Sequence, residues 1–228
     1  MSDEALMGEL RSALADGQSV GVFGGVAKLL GKGDASQQVL DYLEPQFARW
    51  PEEIDRKAPW EWVTRACRGW KAPALRLATS VDASWHTFKA KHAVAFADSP
   101  DVRNIRKFRT DPKSTTEIGD EGVIAFAQSP HLESLVELEI WSNTASNEAV
   151  VVLLSSANLP SLRRLTLRGP RGTREAVDAL FESPLFDTLT GLNFSNSSYS
   201  RDVTEDDKAR ISARLKANYE RLEAERAG

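Results

Sequence analysis

The chain has 228 residues, 41% of them apolar and 27% charged, the ordinary balance of a folded globular protein. Thirty-three acidic against 29 basic side chains give a formal net charge of −4, which argues against electrostatic capture of nucleic acid or of an anionic membrane. A single cysteine, Cys67, and three histidines exclude an intramolecular disulfide and a CxxC metal centre, and leave few groups for soft-metal chemistry.

The first residues are acidic and amphipathic, without the basic stretch and unbroken apolar run of a secretory signal. The most apolar early segment, Val20–Leu30, carries three glycines and Lys28 and falls far short of a membrane span. A soluble cytoplasmic protein is expected. Residues 1–70 read as a helical, tryptophan-rich cap region with two helices, residues 3–15 and 36–48, and a flexible glycine-rich loop over residues 21–33 between them. That glycine stretch is not a phosphate loop: Val26 and Gly33 stand where the motif needs Gly and Ser or Thr. Five of the six tryptophans lie between residues 50 and 85. They are expected to fill the junction with the following segment. The alternative, an aromatic cage or stacking platform, lacks the basic residues that a polyanion requires.

Residues 71–200 repeat. The segment Phe126-Ala-Gln-Ser-Pro-His-Leu-Glu-Ser-Leu-Val-Glu-Leu-Glu-Ile140 aligns without gaps on residues 153–167, and those on residues 180–194, each offset by 27. A fourth copy begins at Phe96, 30 residues before Phe126, with its extra residues in the polar stretch 111–120. A degraded fifth is read at Ala72-Pro-Ala-Leu75-Arg-Leu77. The first half of each unit is helical, with apolar residues at i, i+3 and i+4: Ala93/Phe96/Ala97, Val123/Phe126/Ala127, Val150/Leu153/Leu154 and Val177/Leu180/Phe181. Ser-Pro pairs at 99, 129 and 183 end three of these helices. The second half is a short strand, Leu135-x-x-Leu138-x-Ile140 and its equivalents, in which alternation turns the last apolar side chains inward. Residues 201–228 close the chain with a capping helix. Thr204 is its N-cap, Glu205, Asp206 and Asp207 face the positive end of the helix dipole, and Ile211, Leu215, Tyr219 and Leu222 form one narrow docking stripe.

A helix and an LxxLxL strand alternating with a period near 28 resemble the leucine-rich repeat proteins, in particular the ribonuclease-inhibitor-like class, in a short bacterial-type form. The resemblance covers about residues 73–200. It implies an α/β solenoid with parallel strands on a concave face and helices on the convex one. It departs from the family at the asparagine that follows the strand, which appears only as Asn143; Lys113, Pro170 and Ser197 hold the equivalent places. The family typically binds protein partners on its concave sheet.

The repeat register assigns that face here in three columns: Ala74, Lys107, Glu137, Arg164, Gly191; then Arg76, Arg109, Glu139, Thr166, Asn193; then Ala78, Asp111, Trp141, Arg168, Ser195. Neighbouring strands are about 4.8 Å apart, so column neighbours touch. One reading has the charges pair along the columns, Lys107–Glu137–Arg164 and Arg109–Glu139, as weak cross-strand ion pairs. The other has them flank an exposed Trp141 beside Arg168, residue types enriched at interface hot spots.

Catalytic chemistry is not visible as a set. His86 and His92, six apart, would face nearly opposite ways on a helix; His131 reads as a surface loop residue; Cys67 reads as a small buried hydrophobe. The expected function is therefore a non-enzymatic protein-binding module, an adaptor or an inhibitor, with no cofactor and no metal. The alternatives are a regulator of an enzyme, such as a GTPase activator built on similar repeats, and a homodimer formed through the tryptophan-rich region.

Overall fold

The computed structural model describes residues 2–110, 118–141, 144–169, 172–194 and 202–227. Four helices come first: α1 (Asp3–Ala15), α2 (Val20–Leu30), α3 (Gln37–Phe47) and α4 (Trp60–Cys67). Ser2, Ser19 and Ser36 cap the first three, each hydroxyl accepting the backbone N–H three residues on. That satisfies one of the donors every helix start leaves unpaired.

The segment expected to be a loop is thus largely helix α2. Its glycines cost about 1 kcal/mol each relative to alanine. Burial of Phe23, Val26, Ala27 and Leu30 on one face offsets that cost, and Gly24 and Gly25 face open space.

The rest of the chain builds a mixed α/β unit around a five-stranded, all-parallel sheet. The strands are β1 (Ser80–Asp82), β2 (Lys107–Arg109), β3 (Glu137–Trp141), β4 (Arg164–Arg168) and β5 (Gly191–Phe194), side by side in chain order. Between them run α5 (Ala90–Ala97), α6 (Gly119–Gln128), α7 (Asn147–Leu154) and α8 (Arg174–Glu182), and α9 (Glu205–Ala227) follows β5, the ninth α-helix among the described residues. The sequence offsets are the sheet register: Lys107 pairs with Glu137, Glu137 with Arg164, and Arg164 with Gly191. Phe108, Leu138, Ile140, Leu165, Leu167 and Phe194 point into the core and are buried. Phe108 joins Phe88, Phe96 and Phe126 in a cluster of tilted and edge-on rings, with neighbouring centroids 4.7–6.3 Å apart. Such contacts add to area burial.

The first strand is not where the fifth copy placed it. Residues Pro73–Leu77 form a 3-10 helix, and β1 pairs Ser80 with Lys107 and Asp82 with Arg109. Its three core positions are Ala78, Val81 and Ala83, all buried, where later units carry larger side chains. Ala74, Arg76 and Ala78 are therefore not members of the columns; Ser80, itself buried, and Asp82 stand at the head of the first two. Arg76 instead ties α3 to the turn after α5, with Nη1 3.2 Å from Glu44 Oε1 and Nε 3.6 Å from Asp101 Oδ1.

Ser99, Ser129, Ser156 and Ser183 recur at one position, and each hydroxyl accepts the N–H two residues on. Buried Ser129 and Ser156 also donate backwards, to Ala97 O at 2.6 Å and Ala127 O at 2.5 Å, joining successive units. The expected asparagine at 143 and its equivalents at 113, 170 and 197 lie outside the described residues.

Helix α9 is capped as expected. Thr204 Oγ1 accepts the Asp207 N–H, while the Thr204 N–H and hydroxyl donate to Asp207 Oδ2 at 3.0 and 2.7 Å. Its docking stripe differs. Ile211 is buried, but Tyr219 is 55% exposed, and the neighbouring Asn218 is buried instead, donating to Phe186 O at 2.9 Å and Leu189 O at 2.8 Å. Carbonyls left unpaired before β5 need a donor, and an amide supplies it where a phenol ring would cover them. Among the described residues, no helix is long and apolar enough to cross a membrane.

Candidate functional site

Alternation along β2, β3 and β4 sends Lys107, Arg109, Glu137, Glu139, Trp141, Arg164 and Arg168 to the solvent-facing side of the sheet. Trp141 lies level with Arg168, as the register requires. Asp111 and Ser195, assigned to the same column, lie outside the described residues. The Trp141 backbone N–H donates to Thr110 Oγ1 at 2.7 Å, and its indole N–H reaches Glu139 Oε1 at 3.4 Å. Arg168 places its guanidinium carbon 4.9 Å from the Trp141 ring centroid and its Nε 3.2 Å from that same oxygen of Glu139. The arginine partly covers the ring, so Trp141 is half-buried, not fully exposed as expected.

Arg164 pairs with Glu137 at 2.6 Å. The expected Arg109–Glu139 pair is replaced: Arg109 Nε lies 3.7 Å from Asp82 Oδ1, its neighbour on β1, and Glu139 is taken by Trp141 and Arg168. Burial alone would raise the Asp82 carboxyl. Hydrogen bonds from Lys57 at 2.8 Å and from the Ser84 N–H at 3.0 Å outweigh it and hold the group down at about 2.

Other candidate groups are dispersed. His86 precedes α5 and stacks on Trp60, centroids 3.8 Å apart and planes 5° from parallel. His92, inside α5, accepts the Lys89 N–H on Nδ1 at 3.1 Å. Cys67 is buried, and burial pushes its thiol up to about 12, so it is protonated at neutral pH. Among the described residues, no group of three His, Cys, Asp or Glu could hold a metal ion. Of the clustered tryptophans, Trp50 and Trp62 are buried as expected, whereas Trp70 and Trp85 are 53% and 71% exposed.

A second feature was missed in the sequence. A cleft of about 600 Å³ runs along the edge where the strands begin. Phe47, Trp50 and Arg56 form one wall, Arg106 and Arg163 the floor, and Tyr219 and Arg226 of α9 the far wall. The floor is held by its backbone: the carbonyls of Thr79, Arg106, Val136 and Arg163 each accept two successive N–H groups from the next strand's entry. Arg106 pairs with Glu52 at 2.7 Å. Arg56 donates Nε to Leu77 O at 2.9 Å and lies over the Phe47 ring; Arg163 donates to the carbonyls of Pro160 and Leu162. Burial, and then the field of Arg106, lower the pKa of Arg56. The signal available in the sequence was Arg106 and Arg163 at the same place in two units, directly before the strand.

Compared with known proteins, the chain matches no family model, and no curated protein is significantly similar to it.

Proposed function

We propose that this chain is a leucine-rich-repeat-type solenoid that binds a protein partner on the solvent-facing, concave side of its sheet and performs no chemistry of its own. Parallel strands laid down in chain order at offsets of 27 and 30 residues, each return carrying a helix, support the solenoid reading. The observation that carries the binding role is Trp141 under Arg168, flanked by the Arg164–Glu137 pair. An aromatic ring held beside desolvatable arginines is the composition of an interface hot spot. The residues that make up this surface are Trp141, Arg168, Arg164, Glu139, Glu137, Arg109 and Lys107. Nothing about the fold selects the partner, which is a protein of unassigned identity met in the cytoplasm.

The test is capture of the partner from source cells with the wild-type chain and with Trp141→Ala, folding being checked by circular dichroism. The variant should lose affinity by roughly 30-fold, the effect of removing a hot-spot tryptophan. Retention of every partner by a folded variant would sink the proposal.

The exposure of Trp70 and Trp85 favours a second reading, a homodimer through that region. Sedimentation equilibrium would show a dimer that Trp85→Ser dissociates; a monomer at all concentrations eliminates it.

A further inference from the structure

We propose that the cleft along the leading edge of the sheet binds a small polyanion carrying phosphate or carboxylate groups. This site is separate from the Trp141 surface and does not depend on it.

The argument begins with charge. Six arginines and three glutamates line the cleft, in a chain whose net charge is −4. Arg76, Arg106 and Arg226 are each within 3.3 Å of a glutamate oxygen, and Arg164 is held by Glu137 outside the cleft. Arg56 and Arg163 are different. Among the described residues, no carboxylate approaches either within ion-pair distance, and both spend donors on backbone carbonyls. Arg56 is only 9% exposed. A guanidinium removed from water without a counter-ion is costly, and at Arg56 the neighbouring Arg106 adds repulsion. An anion in the cleft relieves both.

Geometry sets the size of that anion. Arg106 and Arg163 hold equivalent positions two strands apart, so their backbones are about 10 Å apart. Arg56, whose N–H donates to Thr79 Oγ1 at 3.0 Å, stands one strand further along. Glu52 closes both Nη atoms of Arg106, so the donors left for a ligand are those of Arg56 and Arg163, set far enough apart to suit a molecule with more than one anionic group. The volume of about 600 Å³ suits a small ligand, not a folded partner. Tyr219, 55% exposed, gives the same cleft aromatic surface against which an organic body can pack.

Titration calorimetry of the full chain at physiological salt tests this with two probes, inorganic pyrophosphate and citrate. Saturable one-to-one binding of either is expected, and which of the two binds more tightly assigns the anion class. Arg163→Gln should weaken it roughly tenfold or more, the effect of losing charged hydrogen bonds. Lys216→Gln, on the exposed side of α9, should leave it unchanged. Should Arg163→Gln fail to fold, Arg226→Gln, at the exposed far wall, should still weaken binding. Absence of saturable binding of both probes at millimolar concentration overturns the proposal, as does equal weakening by Arg163→Gln and Lys216→Gln, the mark of diffuse attraction.

Discussion

Trp141 and Arg168 share one carboxylate oxygen: the indole N–H and the guanidinium Nε both point at Glu139 Oε1, and the guanidinium lies 4.9 Å over the indole ring. The two residues are thus coupled in the free chain, before any partner arrives. Cation–π contacts at exposed sites contribute about 0.5–1 kcal/mol. A double-mutant cycle of Trp141→Ala and Arg168→Ala, followed by urea denaturation, should give a coupling energy of that size. Strict additivity would mean that the contact between ring and guanidinium contributes nothing to stability.

Asp82 makes stability depend on pH in a defined window. Its folded-state pKa of about 2 lies below the ordinary aspartate value of 3.8, so the ionised form is favoured by folding. The contribution is complete above the unfolded value and is lost as pH falls through the folded one. Asp82→Asn should therefore be less stable than wild type at neutral pH, and the difference should vanish between about pH 4 and pH 2. Urea midpoints measured along that range check it; a constant difference down to the lower limit refutes it.

Ser156 has no role at the surface, yet its hydroxyl both donates to Ala127 O and accepts from the Asn158 N–H. Ser156→Ala leaves a buried carbonyl and a partly buried N–H short of partners. A loss of about 1–3 kcal/mol is expected in chemical denaturation. A loss under about 0.5 kcal/mol would show that water replaces the hydroxyl.

Gly33 and Gly24 make a contrasting pair. Gly33 has φ +83°, and an added Cβ would stand 2.5 Å from Cδ1 of Trp62, a fully buried ring whose Nε1 is fixed to Gly31 O at 2.9 Å. Gly33→Ala should cost about 2 kcal/mol or more. Gly24, inside α2 with nothing within 4 Å of an added Cβ, should gain about 0.5–1 kcal/mol as alanine. Thermal midpoints moving in the same direction for both would contradict the placement of α2.

How far the sequence could be read follows from what its signals were made of. Where large apolar side chains filled most of the strand positions, as Ile105 and Phe108 do at β2, the offsets of 27 and 30 matched the register of β2 to β5 residue for residue. At β1 the same positions are Ala78, Val81 and Ala83, and the small side chains concealed the copy; counting back 27 from Lys107 reaches Ser80, the observed partner. Helix α2 was concealed by glycine penalties that Ser19 capping and core burial override. On α9 the apolar stripe pointed to Tyr219, but unpaired carbonyls before β5 selected Asn218. Arg109 had two acids within reach along its column, and nothing in a repeat alignment ranks Asp82 above Glu139. The cleft was least legible of all, since its walls come from four or more separate stretches of chain.

That dispersal has a consequence for how the molecule is made. Every lining residue of the cleft but those on α9 precedes residue 191, and Tyr219, Leu222, Glu223 and Arg226 complete it from the opposite end. Domains begin to fold while synthesis continues, N-terminal parts first. The five arginines that precede α9 therefore emerge from the ribosome as an open ledge. They become one side of a two-walled cleft only when α9 docks, so binding in the cleft would depend on the docking of that helix.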